Sequence, residues 1–517
     1  MKRRSFIKRS SIVTLPLLLN GIGVSALTRK SMLDELGGED GRVLVLIKMG
    51  GGNDTLNTII PLEYYDNLIK ARPNIIIPQK KVLEIEAGVG FHPSMGGMRD
   101  LMEEGRLSVI RAVGYPNQNR SHFRSSDIWN TASGAKETKT TGWMGDYFTS
   151  IHPDYPDMYP NAEYPDPFAI TLGASASETC QGPNTNFSYA LTNINNIGTL
   201  KEGGEDIAPV NCFGDNLMFM REAVRQTNAY SSRVKDAYDK GENKSDLYEQ
   251  NNMSLVMSIV ARLIAGGLKT KLYIINLGGF DTHSAQVDTD DVTKGRHANL
   301  LSLLSGSVRA FQDDIIKLGL ERRVMGMTYS EFGRRIKSNG SNGSDHGDAV
   351  GMFVFGECVS PGFIGDNPEI SSDVGKNEAV PYQFDFRTVY GSILVDWFGA
   401  SEDYVKENIL EDFVKIPIIS GCVSTSNTNV SVIDPIDVEV SPNPTADFLT
   451  VRWKSYLEHS ILFISDEMGG TILRRQVENG RSQTSQYTFD LTKFPSGVYF
   501  IKVIEGHQHK VKRIVKI

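Results

Sequence analysis

Short apolar runs alternate with amphipathic stretches along residues 42–355, and this alternation restricts the fold more than any other feature. The predicted strands are Val43–Met49, Leu107–Val113, Phe168–Leu172, Leu272–Leu277, Val324–Tyr329 and Gly351–Phe355. The predicted helices include Met95–Glu104, Asn216–Lys240, Tyr248–Ala265 and Ala298–Leu318, and residues 145–167 are predicted to be a loop. Alternating strands and helices predict an α/β fold with a mostly parallel sheet and helices on both faces.

The pattern changes after residues 423–436, a stretch rich in Pro, Asp, Ser and Thr that we predict to be a linker. Residues 437–517 contain short alternating strands with turn signals between them and no helical periodicity. The predicted strands there are Phe448–Trp453, Ser460–Ile464, Gln486–Leu491, Val498–Val503 and Val511–Ile517. We therefore expect an α/β domain over residues 28–422, followed by a small all-β sandwich over residues 437–517.

Residues 1–26 have the features of an export signal. A basic start precedes the apolar stretch Ile12–Val24, and Val24-Ser25-Ala26 is a small-residue cleavage pattern. The segment Lys2–Lys8 resembles a twin-arginine signal, which would make the twin-arginine translocase a partner, and an ordinary secretory signal is the alternative. The stretch is too short and too interrupted for a stable membrane helix, so we expect an exported protein.

The composition narrows the class of protein further. The 54 Lys and Arg against 62 Asp and Glu give a net charge of −8, which argues against general nucleic-acid binding. No later stretch reaches the roughly 18 apolar residues of a transmembrane helix. The four cysteines contain no CxxC pair, and in an exported protein they allow one or two disulfides of open pairing.

Three glycine-rich motifs, each following a predicted strand, carry the candidate chemistry. Because the carboxyl ends of parallel strands meet at one edge of a sheet, we expect their polar side chains to lie close together. The side chains are Asp54, Asp281, His283, Asp345 and His346. Mixed Asp and His ligation favours zinc or manganese, and two such ions would clamp a phosphoryl or sulfuryl group. Taken singly, the first motif is also compatible with a structural turn, and Asp345-His346 with a hydrogen-bonded loop pair.

Seven segments, in this order along the chain, form a recognisable set. They are Gly-Gly-Asn-Asp-Thr-Leu-Asn-Thr at 51–58, Phe91-His92-Pro93, Arg120-Ser121-His122-Phe123, Gly142-Trp143, Gly279-Phe280-Asp281-Thr282-His283, Ser330-Glu331-Phe332-Gly333-Arg334 and Ser344-Asp345-His346-Gly347. Together they resemble the DUF1501 family of the alkaline phosphatase/sulfatase superfamily. The resemblance implies an alkaline-phosphatase-like fold and metal-dependent hydrolysis of a small-molecule or glycan ester of phosphate or sulfate.

The same resemblance implies roles for further residues. Ser121 falls where the superfamily keeps its nucleophile, with His122 beside it, and a helix N-cap is the alternative for Ser121. Other polar residues are candidates for contacts with substrate oxygens or for hydrogen bonds to metal ligands: Asn57, Arg124 and Glu331. Glu331 and Arg334 are equally compatible with a structural ion pair.

Two departures from the superfamily pattern leave the activity open. The superfamily's Asp-x-x-x-His is Asp281-x-His283 here, and its late metal-binding histidine has no counterpart. Candidates to replace that ligand are His92, His297 and Asp385. Without a replacement the site would hold a single ion or be inactive. The alternative function is therefore a non-catalytic cell-surface binding protein on a phosphatase-like fold.

The C-terminal residues carry a second resemblance. Val440-Ser441-Pro442-Asn443-Pro444, Gly497–Val503 and the terminal Lys-Arg-Ile-Val-Lys-Ile resemble the C-terminal sorting domain of the type IX secretion system. The resemblance implies export through the periplasm to the cell surface or the medium, with the type IX machinery as partner. A carbohydrate-binding β-module is the alternative.

Overall fold

The computed structural model describes residues 41–156, 159–183, 185–194, 212–422, 438–454, 459–465, 471–478, 484–505 and 508–517, with two short strands, Leu18–Leu19 and Ile22–Gly23. The rest of the predicted signal peptide and the predicted linker at 423–436 lie outside the described residues. The chain divides into two compact units, Met1–Ser424 and Thr425–Ile517. None of the helices in the described ranges combines the length and apolarity needed to span a membrane.

The first unit alternates strands and helices along the chain. Its strands are β1 (Val43–Gly50), β2 (Ile59–Pro61), β3 (Leu83–Glu86), β4 (Val89–Phe91), β5 (Leu107–Gly114), β6 (Ala169–Leu172), β7 (Ser188–Ala190), β8 (Leu272–Gly278), β9 (Val324–Tyr329), β10 (Arg334–Ser338), β11 (Ser344–His346), β12 (Val350–Phe355), β13 (Gly362–Ile364) and β14 (Phe384–Asp385). Its α-helices are α1 (Thr55–Thr58), α2 (Tyr65–Ala71), α3 (Gly96–Glu103), α4 (His122–Thr131), α5 (Trp143–Ile151), α6 (Cys212–Lys240), α7 (Asn252–Ala265), α8 (Arg296–Lys317), α9 (Phe386–Asp396) and α10 (Glu402–Asn408). Single 3₁₀ turns lie at Leu62–Tyr64, Gln79–Lys81 and Glu178–Cys180.

In the described part of this unit, a nine-stranded sheet forms the centre. Its order is β13-β5-β12-β9-β1-β8-β6-β7, with β14 beside β5. Every pairing in it is parallel except those of β12, which runs antiparallel to both β9 and β5. The predicted mostly parallel sheet is therefore confirmed, with one reversed strand.

Alternate residues of β1 face two separate apolar cores. Leu44 and Leu46 pack on one face with α4, α5, α9 and α10, whereas Val45 and Ile47 pack on the other with α3, α6, α7 and α8. A strand buried on both faces needs a nearly continuous apolar sequence, which β1 has. The prediction of helices on both faces is confirmed.

The predicted loop at 145–167 is wrong in its first part. Residues up to Ile151 belong to α5, whose Trp143, Met144 and Phe148 are fully buried against the sheet. These side chains recur at helical spacing, but the prolines and aspartates that follow dominate the composition of the segment. The composition therefore favours a loop, although a short apolar stripe marks the helix.

A disulfide joins Cys358 to Cys422 across 64 residues, beside the bridge between Val359 and Ile419. Closing a loop of this length stabilises a fold by about 2–4 kcal/mol. We expect the double variant Cys358→Ser/Cys422→Ser to lose about that much free energy of unfolding in urea denaturation. Reductant should lower the unfolding free energy of the wild type to that of the variant and leave that of the variant unchanged. Equal unfolding free energies of wild type and variant without reductant would contradict the prediction.

Among its described residues, the second unit has seven strands in two sheets. They are β15 (Val438–Ser441), β16 (Phe448–Lys454), β17 (His459–Ser465), β18 (Thr471–Glu478), β19 (Thr484–Asp490), β20 (Gly497–Glu505) and β21 (Gln508–Lys516). The sheets have the orders β15-β16-β19 and β18-β17-β20-β21. One core takes side chains from both sheets, among them Val451, Trp453, Leu462 and Ile501. The predicted all-β sandwich is confirmed, and β15 and β18 are strands that the sequence pattern did not indicate.

Candidate metal centre

The three glycine-rich motifs leave the sheet at the same edge. Gly50 at the end of β1 pairs with Gly278 at the end of β8, and Lys48 pairs with Tyr329 at the end of β9. Gly51 has φ +120°, and a Cβ there would lie 2.3 Å from the backbone nitrogen of Asp281. Glycine is therefore needed because the loop after β1 adopts a left-handed backbone and touches the loop after β8.

Three imidazole rings converge on the carboxylate of Asp281. The Nε2 atoms of His283 and His346 each lie 3.3 Å from its Oδ1, and His122 Nε2 lies 3.4 Å from its Oδ2. The two Nε2 atoms of His283 and His346 are 2.9 Å apart. Ligands of one tetrahedral zinc ion are separated by roughly 3.3 Å, given metal–nitrogen bonds of about 2.0–2.1 Å. Within the described residues, His122, Asp281 and His346 are a group whose ligand atoms all lie within 4.8 Å of one another, a spacing that one metal ion can bridge, and His283 lies beside this group.

Each imidazole is held by an oxygen atom at its other ring nitrogen. His122 Nδ1 lies 3.1 Å from Glu331 Oε1, and His283 Nδ1 lies 3.1 Å from Asp345 Oδ1. His346 Nδ1 lies 2.8 Å from the carbonyl oxygen of Arg120. Because an ionised carboxylate or a carbonyl can only accept a hydrogen bond, each Nδ1 is the donor. In a neutral ring, the proton on Nδ1 leaves a lone pair on Nε2. All three rings are thus fixed in the tautomer and orientation that a metal ion needs.

Charge also favours the metal-binding forms. Burial raises the pKa of Asp281, but the hydrogen bond and the positive charge of Arg334 outweigh it and lower the pKa to about 2. Asp281 is therefore ionised at neutral pH. Burial is the main cause of a lowered pKa for His346, which favours its neutral, ligating form.

Arg334 joins the loops that carry these groups. Its buried guanidinium donates from Nη2 to Asp281 Oδ1 at 2.8 Å and from Nε to the carbonyl oxygen of Gly52 at 2.8 Å. It also donates from Nη1 to the carbonyl oxygen of Ser344 at 2.8 Å. One arginine thus crosslinks all three glycine-rich motifs, a role that the sequence analysis did not assign to it.

The cluster is open to solvent. The side chains of His122, Asp281 and His283 are 36%, 43% and 44% exposed, and that of His346 is 20% exposed. Structural zinc sites are usually closed, whereas catalytic sites keep a position for water or substrate. The donor set of three imidazoles and one carboxylate suits zinc or manganese.

Asp54 lies outside this cluster of side chains. It is fully buried, and both carboxylate oxygens accept from Arg72 Nη1 at 2.9 Å, while Oδ2 also accepts from Gln286 at 2.6 Å. Burial raises its pKa, but Arg72, His297 and Gln286 reverse this and lower it. Asp54 is therefore one half of an internal ion pair rather than a free ligand.

The predicted substrate residues Asn57 and Arg124 are also placed elsewhere. Asn57 is fully buried, donates to the carbonyl oxygen of Ile75 at 2.7 Å and accepts from Arg72 at 3.3 Å. Arg124 pairs with Asp127 and donates to backbone carbonyls of residues 134–137. Their hydrogen bonds support the fold around the site and do not reach Asp281 or the three imidazoles beside it.

Ser121 occupies the N-cap position of α4, next to His122. Its side chain is exposed and makes no capping hydrogen bond, so the capping alternative does not account for its hydroxyl. His122 brings a third imidazole to the cluster, with its Nε2 at 3.4 Å from Asp281 Oδ2. Its loop follows β5, which runs in the same direction as β9, so the strand pattern contained a usable signal.

The three residues considered as replacements for the late histidine do not join the cluster. Burial lowers the pKa of His92 to about 3 and that of His297 to about 4, so both are neutral interior groups. Asp385 caps α9 and pairs with Arg387 at 2.7 Å.

Residues 87–396 match the family described as "Protein of unknown function (DUF1501)". The chain belongs to the DUF1501 family. Residues 439–517 of this DUF1501 protein match the "Secretion system C-terminal sorting domain". The protein therefore carries a type IX secretion signal, which indicates transport to the cell surface or the medium. A search of curated protein sequences finds no match.

Several solved structures are similar to this DUF1501 protein. A protein in the alkaline phosphatase superfamily from Vibrio parahaemolyticus is 10% identical, with 88% of this chain and 92% of that chain covered and a TM-score of 0.32. The PsFucS1 sulfatase from Pseudoalteromonas sp. is 10% identical, with 90% and 86% covered and a TM-score of 0.30. PorZ of Porphyromonas gingivalis is 25% identical over 16% of this chain and 11% of its own, with a TM-score of 0.13. Likeness at this level carries no conclusion about the reaction.

Glu331 fixes the ring of His122 and offers a test of the arrangement. It is 3% exposed, its Oε1 also accepts from the backbone of Gly51 at 2.8 Å, and its Oε2 is buried without a hydrogen-bond partner among the described residues. We expect Glu331→Ala to lower metal affinity by about 10- to 100-fold, because His122 Nδ1 loses its acceptor. Glu331→Gln keeps an acceptor oxygen and should restore most of that affinity in a chelator competition titration. Equal affinity of Glu331→Ala and wild type would contradict this role.

Proposed function

We propose that this protein is an exported hydrolase of phosphate or sulfate esters that uses one divalent metal ion, zinc or manganese. The observation that best supports the proposal is the convergence of three Nε2 lone pairs on the ionised Asp281 at an open edge of the sheet. The ligands in this proposal are His122, Asp281 and His346, and His283 is a further donor beside them. When bound, such an ion polarises an ester oxygen and lowers the pKa of a water molecule.

The proposal is for one ion rather than two. The carboxylate of Asp54, a ligand in the sequence hypothesis, is already bound by Arg72 and Gln286 in the interior. Asp345 likewise acts through His283, whose Nδ1–H it accepts, instead of binding the ion itself. Its other oxygen lies 3.4 Å from Arg335 Nη1, a guanidinium at the edge of the cluster that would attract an anionic ester.

Ser121 is the nucleophile in this proposal. Its exposed hydroxyl would attack the phosphorus or sulfur atom, the ester alcohol would leave, and water would then release the serine ester. The support is its position beside the ligand His122 and the absence of a capping hydrogen bond to its side chain.

The first experiment is elemental mass spectrometry of the purified secreted protein, followed by a screen of aryl phosphates and aryl sulfates. We expect one equivalent of zinc or manganese per chain and turnover of at least one ester class. Ser121→Ala should keep the ion and lose turnover by more than about 100-fold, as expected for a nucleophile. No ion after loading with either metal would overturn the proposal.

The number of donors supports a second candidate, a non-catalytic cell-surface binding protein. If His283 binds together with His122, Asp281 and His346, four protein ligands fill a tetrahedral zinc ion, as in structural zinc sites. In that case the ion would bind without turnover of any ester, and Ser121→Ala would alter neither metal content nor function. Five- or six-coordinate metal, detected by X-ray absorption spectroscopy, would favour the hydrolase because it leaves a position for substrate.

A further inference from the structure

An ammonium group lies beside the candidate metal centre on helix α4. The candidate ligand His122 and Ser126 are four residues apart on this helix. Residues at this spacing lie on one face of a helix, roughly 5–6 Å apart. Ser126 Oγ accepts a hydrogen bond at 2.9 Å from Nζ of Lys48, which is near the end of β1. The positive charge of Lys48 is therefore held about one helical turn from His122.

Lys48 is a half-buried cation with a neutral partner. Its ammonium group forms no ion pair with a carboxylate of the described residues, and Ser126 uses one of its three N–H donors. Charges that leave water are normally paired with an opposite charge. Because Ser126 accepts from Lys48, its own O–H can still donate to another group. The two side chains together therefore suit an anion.

Asn276 adds a neutral hydrogen-bonding group at the same place. It is the register partner of Lys48 in the parallel pair of β1 and β8, so the two side chains lie on the same face of the sheet. Asn276 is exposed, and its side-chain amide makes no hydrogen bond with any of the described residues. Its Oδ1 lies 3.0 Å from the position that a Cβ on Gly50 would occupy. The Asn276 side chain thus extends along the sheet towards the loops of the cluster.

Two cations approach the cluster through different histidines. Arg335 Nη1 lies 3.4 Å from the carboxylate that holds His283, whereas Lys48 lies on the side of His122. The Nε2 atoms of these two histidines face different oxygens of Asp281, Oδ1 for His283 and Oδ2 for His122. An ester group that binds at the cluster beside Arg335 therefore leaves the charge of Lys48 to a second group.

We propose that the patch formed by Lys48, Ser126 and Asn276 binds a second anionic group of the ester substrate. This group is a carboxylate or a sulfate on the alcohol part of the ester, about one six-membered ring away from the group at the metal ion. Lys48 supplies the opposite charge, and the other two side chains supply hydrogen bonds. The inference rests on the proposed hydrolase function and names its substrate class, a phosphate or sulfate ester of an acidic ring compound.

Calorimetric titration with phosphonates, which have no ester bond to hydrolyse, tests the proposal. Phenylphosphonate carries only the group for the metal ion, whereas 4-carboxyphenylphosphonate and 4-sulfophenylphosphonate add a second anion across the ring. We expect at least one added anion to raise the affinity of the secreted protein about tenfold or more, equivalent to about 1.4 kcal/mol or more. Lys48→Met should abolish this gain while it keeps the metal ion and binds phenylphosphonate like the wild type.

Ser126→Ala is the milder variant, since it removes only a hydroxyl, and it should reduce the gain in affinity severalfold. Lys317→Met is the matched control, because Lys317 is 43% exposed and pairs with Asp313 at the end of α8. It removes the same charge without touching the patch, so the gain should persist. The inference fails if neither added anion raises the affinity, or if the gain persists in both patch variants. If phenylphosphonate itself does not bind, the proposed function fails and the inference fails with it.

Discussion

An Asp281→Asn variant is expected to purify without its metal ion and without ester turnover, whereas Asp54→Asn should keep the ion. Three Nε2 atoms lie 3.3 to 3.4 Å from the carboxylate oxygens of Asp281. An asparagine there removes the anionic oxygen ligand and leaves one weakly donating carbonyl. The loss of affinity should exceed the roughly 10- to 100-fold effect of changing a group that only orients a ligand.

The two aspartates form a matched pair because each follows a strand of the same sheet and each motif begins with glycines. Metal content by elemental mass spectrometry, with both variants loaded in parallel, separates them. Full occupancy in Asp281→Asn would contradict the proposed ligand set. Loss of the ion in Asp54→Asn with an unchanged fold by circular dichroism would instead point to a second metal position near Arg72.

The edge of the sheet at which the cluster lies could be predicted from the sequence. Strand alternation indicated a parallel sheet, and motifs after successive strands had to meet where those strands end. The structure indeed brings Asp281, His283, Asp345 and His346 together, with His283 and Asp345 in direct contact at 3.1 Å. This part of the prediction needed only the period of the apolar residues and the direction of the strands.

The roles within the cluster could not be predicted in the same way. Asp54 and Asp281 look alike in sequence, and what separates them is Arg72, which is 18 residues from Asp54 and reaches it only through the packing of α2. Likewise, Asp345 and His346 are adjacent in sequence but have different contacts. Asp345 accepts a hydrogen bond from His283 Nδ1, whereas His346 turns its Nε2 towards the Nε2 of His283. Which atom of a side chain faces a site depends on rotamers and neighbours that a sequence pattern does not contain.

Replacing Arg72 with methionine is expected to lower the free energy of unfolding by about 3–5 kcal/mol, because it leaves a buried carboxylate without its cation. The Arg72 and Asp54 side chains are 0% and 1% exposed, and the guanidinium also donates to the carbonyl oxygens of Ile336 and Arg335 at 2.8 and 2.7 Å. Urea denaturation at pH 7 measures the loss. Arg99→Met, which breaks an exposed pair with Asp100, should cost no more than about 1 kcal/mol.

The pH dependence of the unfolding free energy of Arg72→Met is an independent test of the same explanation. In the wild type, folding lowers the pKa of Asp54. The contribution of the Asp54 carboxylate to stability is therefore complete above its pKa in the unfolded chain. It declines as the pH falls towards its pKa in the folded protein. In Arg72→Met, burial without the cation should raise that pKa, so the folded state gains a proton and stability as the pH falls. The difference in unfolding free energy between wild type and Arg72→Met should therefore narrow from pH 7 to about pH 4. At pH 7, the double variant Arg72→Met/Asp54→Leu should recover part of the stability that Arg72→Met loses, because no buried carboxylate is left without a cation. A constant difference across this range would mean that lost packing around Arg72, rather than the unpaired charge of Asp54, sets the cost.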